Sequence, residues 1–345
     1  MDDRVDEQPA WPAGAATGIG SMPGTDVTEA VKLVLGELPE LPYLPELPAR
    51  GPGAELLGRT AGLLVELPVE LYAGRWRIAG RPGRDLRRTR DLMARDLDAL
   101  TDAGHGFTGT LKVQAAGVWT LAAGLDLPVG GRMLRDPGAV RDLAASLAEG
   151  VRAHVAEVAA RLPGARILLQ LDEPSLPAVL AGQVPTESGW QTLRAVPVAT
   201  ATDALARVVA AAGVPVVVHC CAPGVPVALL RDAGAAAVGL DLDLVGPLDP
   251  LAEALDAGLG LFAGAVPASG SAASASAGPA SAGPASAQVA DRVRRLWREI
   301  GLPTERLPAQ VVVAPACGLA GATPEYARAA LAACQEAARR LSDEP

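Results

Sequence analysis

Short apolar runs recur along the chain, each followed by a longer segment in which Ala, Leu and Arg repeat at helical spacing. This switching between a period of two and a period of 3.6 predicts repeated βα units. Eight runs qualify as strands: residues 16–20, 64–71, 110–116, 166–172, 215–219, 237–241, 259–264 and 310–314. Helical spacing covers 26–38, 86–103, 137–161, 201–212, 225–233, 248–257, 289–300 and 324–341. Several helices open on a start signal, as at Thr25-Asp26, Asp136-Pro137 and Thr323-Pro324. Eight such repeats predict an α/β fold of the (β/α)8 TIM-barrel type, one barrel over residues 1–345. The second run fits worst, because Pro68 interrupts it and Glu66 and Glu70 resist burial. Two stretches break the rhythm. Residues 38–52 hold five prolines and read as an extended loop long enough to fold over a barrel mouth. Residues 268–287 are a low-complexity Ala/Ser/Gly/Pro insert after the seventh strand, too poor in large side chains to order itself.

Composition narrows the class. Hydrophobic residues make up 50% of the chain and aromatic residues only 3%, so the core is filled by Ala, Val and Leu, as packed layers of strands and helices require. The formal net charge is -9, and Lys32 and Lys112 are the only lysines. No basic block can track a phosphate backbone, which argues against nucleic acid as a partner. Four cysteines in 345 residues make no disulfide framework, and adjacent Cys220 and Cys221 point to reduced thiols in a cytoplasm. No apolar run approaches the ~20 residues that span a bilayer, and residues 1–11 are acidic where a signal peptide is basic and then apolar. The expectation is a cytoplasmic protein with no membrane partner.

Barrel enzymes place their chemistry at the carboxyl ends of the strands. Strand five ends in His219-Cys220-Cys221, strand six in Asp241-Leu242-Asp243, and strand eight is followed by Cys317. Alternation puts His219 and Cys221 on one side and Cys220 on the other. With the three ends on one rim, His219, Cys221, Asp241 and Cys317 form an N/S/O/S set that suits zinc, with Asp243 as a substitute for Asp241. Cys220 and Cys334 read as packing. Strand four ends in Asp172-Glu173-Pro174, where a carboxylate can take a substrate ammonium or a proton, or simply cap the next segment. In the first loop Gly18, Gly20 and Gly24 surround Ser21, and small residues let backbone N–H groups approach a carboxylate. His105, His154 and Trp119 read as packing or surface, with Trp119 also able to offer a flat ligand a stacking face.

Taken together these motifs resemble the catalytic barrel of cobalamin-independent methionine synthases and their short single-barrel, archaeal-type members. The segments that carry the resemblance are IGSMPGT (19–25), LDEPSL (171–176), HCC (219–221), VGLD (238–241) and ACGL (316–319). The resemblance implies a zinc-dependent methyl transfer to homocysteine, giving methionine. It places the zinc ligands on His219, Cys221, Asp241 and Cys317, with Asp where the family has Glu. It places the homocysteine contacts on Ile19, Gly20, Ser21, Glu55 and Asp172, the last also catalytic. Two departures bear on the methyl donor. The family's histidine after strand seven has no counterpart in residues 260–267, and its folate-contacting Trp and Glu fall near Gly124 and Ala178. A methyl leaving a tertiary folate amine needs that nitrogen protonated, whereas one leaving a corrinoid cobalt does not. A methylcorrinoid, presented by a partner protein, is therefore the expected donor and methyltetrahydrofolate the alternative. A uroporphyrinogen decarboxylase-like barrel and a non-catalytic zinc- or thiol-binding protein are the competing readings.

Overall fold

A computed structural model describes residues 10–269 and 284–344. Its central feature is a curled, six-stranded parallel sheet in the order β3-β4-β5-β6-β7-β8. The strands are β3 (Thr110–Ala116), β4 (Arg166–Asp172), β5 (Val216–Cys220), β6 (Ala237–Asp241), β7 (Gly260–Val266) and β8 (Val311–Pro315). These are the last six predicted runs. The helices follow the predicted spacing closely: α1 (Val27–Glu37), α3 (Arg84–Ala103), α5 (Pro137–Arg161), α7 (Val198–Ala212), α8 (Val227–Asp232), α9 (Asp249–Asp256), α10 (Ser286–Ile300) and α12 (Pro324–Asp343). Four short helices were not anticipated: α2 (Leu56–Ala61), α4 (Val118–Gly124), α6 (Leu176–Leu180) and α11 (Leu307–Gln310). Most of the insert predicted at 268–287 lies outside the described residues, and α10 begins within its end.

The first two predicted strands need correction. Residues 64–71 do not join the sheet; β1 (Val69–Tyr72) pairs antiparallel with β2 (Arg75–Ile78) in a separate hairpin. Pro68 and a left-handed Glu66 (φ 59°) break the run. The place beside β3 is taken by the proline-rich stretch, where Tyr43 bridges Lys112 in parallel. Leu44 donates its N–H to the Lys112 carbonyl and Glu46 donates to Gly20, while Pro45, which has no N–H, falls between them and Pro42 takes part only as acceptor, from the Lys112 N–H. The prolines thus limit this segment to isolated bridges. The first predicted strand is also reduced to a bridge, Ala16 to Val313 of β8, and Ser21 in turn bridges Glu46.

Inside the curl, Leu168, Val217, Ala237, Phe262 and Val312 form one apolar cluster with Trp11, Ala15 and Leu41. Trp11 meets Phe262 edge-on, with ring centroids 5.3 Å apart. The opposite strand faces pack against the helices in the larger core. Because side chains repeat every second residue, the positions above this floor are Gln170 and Asp172 on β4, His219 and Cys221 on β5 and its extension, and Gly239 and Asp241 on β6. The floor therefore fixes which side chains reach the rim.

His154 of α5 is buried, and neither ring nitrogen has a hydrogen-bond partner among the described residues. Burial, reinforced by the Arg59 charge, pushes its pKa down to about 4 from 6.5. A proton then binds the unfolded chain more tightly than the folded one. The stability that neutral His154 confers is whole above pH 6.5 and is lost as the pH falls toward 4. Between pH 7 and pH 5 the wild type is expected to lose roughly 2 kcal/mol more than a His154→Leu variant. Urea titrations of both proteins at the two pH values check this; equal losses would exclude it.

Candidate active site

The rim positions on β4 and β5 meet directly. His219 Nδ1 lies 2.8 Å from Asp172 Oδ1, and its Nε2 lies 3.4 Å from the Ala316 carbonyl. Both residues are buried. The Asp172 carboxylate and the Ala316 carbonyl both only accept, so Nδ1 donates to Asp172 and, when the ring is protonated, Nε2 donates to Ala316. Burial is the largest single influence on His219 and pulls its pKa down; the Asp172 hydrogen bond and charge, with Cys317, outweigh it and leave the pKa above the ordinary value. Gly239 lacks the Cβ that would press on the His219 ring, which clears the space between β5 and β6.

Cys221 and Cys317 come together at the same corner, Sγ to Sγ 3.1 Å, both as free thiols. The Cys221 thiol donates to the Cys317 sulfur, which pulls the Cys317 pKa down and drives that of Cys221 up. Two soft sulfurs and an imidazole nitrogen are a zinc donor set, and ligands at ~2.3 Å in a tetrahedron stand roughly 3.8 Å apart, so a small opening of the pair would admit the ion. Asp241 does not complete the set as placed: its Oδ1 accepts the Asp243 N–H at 2.9 Å. Asp243 is drawn off to an ion pair with Arg292 of α10. Among the described residues no group of three or more His, Cys, Asp or Glu stands at metal-binding distance.

The first loop closes the other side. The Ser21 carbonyl accepts the Leu319 N–H at 2.8 Å, and the Ser21 hydroxyl lies where a Cβ on Gly318 would be. Gly318 thus lets Ser21 sit beside Cys317. Ile19 is buried, its carbonyl turned into the interior, and Gly20 packs against Gln114. Glu55 stands at the start of α2. It caps α2 by accepting from the Gly58 and Gly53 N–H groups, at 3.0 and 2.8 Å, and takes the Trp76 indole N–H at 2.5 Å. None of these bonds reaches the Cys221–Cys317 corner.

The two carboxylates of the Asp-Glu-Pro motif divide by strand alternation. Asp172 faces inward; Glu173 is fully buried on the other side and accepts from the Trp119 and Thr120 N–H groups and the Thr120 hydroxyl. It caps α4, and burial raises its pKa to about 7 against those hydrogen bonds. A Cβ on Gly117 would overlap the Glu173 carboxylate. Gly117→Ala is expected to destabilise the fold by about 2–4 kcal/mol, read as a lower urea midpoint at unchanged m-value. Trp119 is core, its indole bonded to the Ala201 carbonyl at 3.0 Å.

Sequence reasoning passed over three interior residues, Glu46, Lys112 and Gln170. Glu46 is buried beside Gly20 and faces Arg59 at 3.4 Å. Burial raises its pKa to about 7, Arg59 opposes this, and Asp172 adds to it. Lys112 and Gln170 touch across the interior at 2.7 Å. A signal for the last two was present: β3 and β4 carry polar residues two apart, Lys112 with Gln114 and Gln170 with Asp172, on one face of otherwise apolar strands.

Residues 14–340 match the family model described as the catalytic domain of cobalamin-independent synthase. No curated protein sequence matches the chain. Among solved structures, a B12-independent methionine synthase from Shewanella sp. W3-18-1, in complex with selenomethionine, superposes with a TM-score of 0.62 at 13% identity. The match covers 96% of this chain and 98% of that one. A putative lactate oxidase from Pediococcus acidilactici, 11% identical over 96% of this chain and 92% of its own, reaches a TM-score of only 0.26 and carries no argument.

Proposed function

Because the chain belongs to the cobalamin-independent methionine synthase catalytic-domain family, we propose that it methylates homocysteine with zinc held by His219, Cys221, Cys317 and a re-turned Asp241. Membership makes it a methyltransferase of the methionine synthase type and removes the decarboxylase reading. The observation that carries the proposal is the pair of free thiols 3.1 Å apart beside His219, whose Nδ1 is held by Asp172. The parallel bridges at Ala16, Ser21 and Tyr43 support closing the curled sheet into one (β/α)8 barrel over residues 1–345. Free thiols at this spacing suit a reducing compartment such as the cytoplasm.

Zinc, when bound, lowers the pKa of a thiol that joins it, so that a thiolate is available near pH 7. The protein's own part is to bind and orient. Ser21 and backbone N–H groups of the first loop receive the homocysteine carboxylate. Asp172 receives the ammonium while holding the His219 ring, and Glu55 is the further ammonium contact the resemblance implies. The sulfur then attacks the donor methyl in line, forming S–CH3 as the donor bond breaks. The Shewanella protein's selenomethionine has the size and polarity of the product proposed here.

The family description favours methyltetrahydrofolate as donor and gives a corrinoid partner no support. One observation favours the second reading, a methylcorrinoid: β7 is buried throughout and offers no ionisable side chain to protonate a departing folate amine. Purified protein, assayed for zinc content and for methionine formation from homocysteine with each donor, tests all of this. Turnover with the folate alone ends the corrinoid reading, and the reverse result ends the folate reading. Activity at full rate without metal would end the zinc reading; no turnover with either donor would favour a non-catalytic thiol- or zinc-binding protein.

A further inference from the structure

Lys112 projects from β3 into the interior with no solvent exposure. Its Nζ donates to the Ile19 carbonyl at 3.0 Å and to Gln170 Oε1 at 2.7 Å, and sits 5.1 Å from the centre of the Tyr43 ring. Burial pulls its pKa down to about 7 while the Asp172 and Glu46 charges pull it up, but an amine donates both bonds in either protonation state. Facing that amine settles which way the Gln170 amide points. Its oxygen meets Lys112, so its Nε2 donates to the Ile19 carbonyl and to Asp172 Oδ1, each at 2.8 Å. The same Asp172 oxygen takes His219 Nδ1. A continuous buried chain of hydrogen bonds therefore runs from the first loop to the metal-side histidine, and Lys112 is its root.

We propose that Lys112 is the positioning residue that registers the two halves of the site. Through Gln170 it holds Asp172 and the neutral His219 tautomer that carries its proton on Nδ1; through Ile19 it holds the turn that presents Ser21. What the two halves bind rests on the zinc and homocysteine reading above.

The test uses the full chain as wild type, Lys112→Met, Gln170→Leu and the double variant. Zinc affinity is read by competition with a chromophoric chelator, and KM and kcat for homocysteine by methionine formation. Nitrogen-15 NMR of zinc-free wild type at alkaline pH reads the His219 tautomer. Lys112→Met is expected to weaken zinc and raise KM at least about tenfold each, with a smaller change in kcat, and Gln170→Leu to reproduce the zinc loss. The double variant should bind zinc no worse than the poorer single one, because both act on one chain of bonds. A merely structural role would move the melting temperature and leave this pattern absent. Folded Lys112→Met with zinc affinity and KM within twofold of wild type overturns the proposal, as do additive zinc losses or a wild-type His219 protonated on Nε2. Should Lys112→Met not fold, wild-type zinc affinity in Gln170→Leu overturns it equally. A wild type that binds no zinc and makes no methionine fails the functional reading instead, and the tautomer then decides this inference alone.

Discussion

Cys317→Ser is expected to yield a folded protein with no bound zinc and no methionine formation. The side chain is one of two thiols at the corner facing His219, and it is the one whose pKa is lowered, because it accepts the Cys221 S–H. A serine hydroxyl is a hard donor with a far higher pKa and gives zinc no thiolate. An outer partner of a metal ligand costs about 10–100-fold in affinity, so losing the ligand itself should exceed about 100-fold. The fold should survive because Cys317 is only half-buried. Metal analysis, far-UV circular dichroism and the homocysteine assay on the same preparation check the three parts. A zinc-loaded, active Cys317→Ser protein would remove the thiol pair from the mechanism.

Asp172→Asn carries the second large effect. Asparagine can still accept from His219 and Gln170 through its oxygen, so the geometry at 2.8 Å is retained. What disappears is the negative charge proposed to support His219 as a ligand and to pair with the substrate ammonium. A charge-assisted hydrogen bond contributes about 1.5–3 kcal/mol, which corresponds to a fall in kcat/KM for homocysteine of about 10–100-fold. Zinc affinity should fall as well, by about tenfold or more. Steady-state kinetics with chelator competition separates the two contributions. Unchanged kcat/KM would assign Asp172 to the structure alone.

Glu173 shows why the neighbouring carboxylate cannot share that role. Both residues end the same strand, and the sequence offers each as an acid, a base or a cap. Strand alternation gives them opposite faces, and only the fold decides that Glu173 goes outward to α4 and Asp172 inward to His219. The same limit explains the second strand. Period-two patterning favoured residues 64–71 over residues 42–46, because prolines mark a segment as irregular when read locally. Tyr43, Leu44 and Leu47 are nonetheless buried, and the prolines fall where no N–H is needed. The interior amine behaves likewise: no local pattern pairs Lys112 with Gln170, which β4 supplies opposite it.

Six parallel strands, the major helices, the polarity of the rim and the His219–Cys221 spacing follow from the sequence itself, because hydrophobic period and strand alternation are local properties. The approach of Cys317 to Cys221, the capture of His219 by Asp172 and the root of the network at Lys112 join residues up to 96 positions apart in the chain. Those depend on how far the sheet curls and which strand ends it brings together, and no local pattern contains that distance.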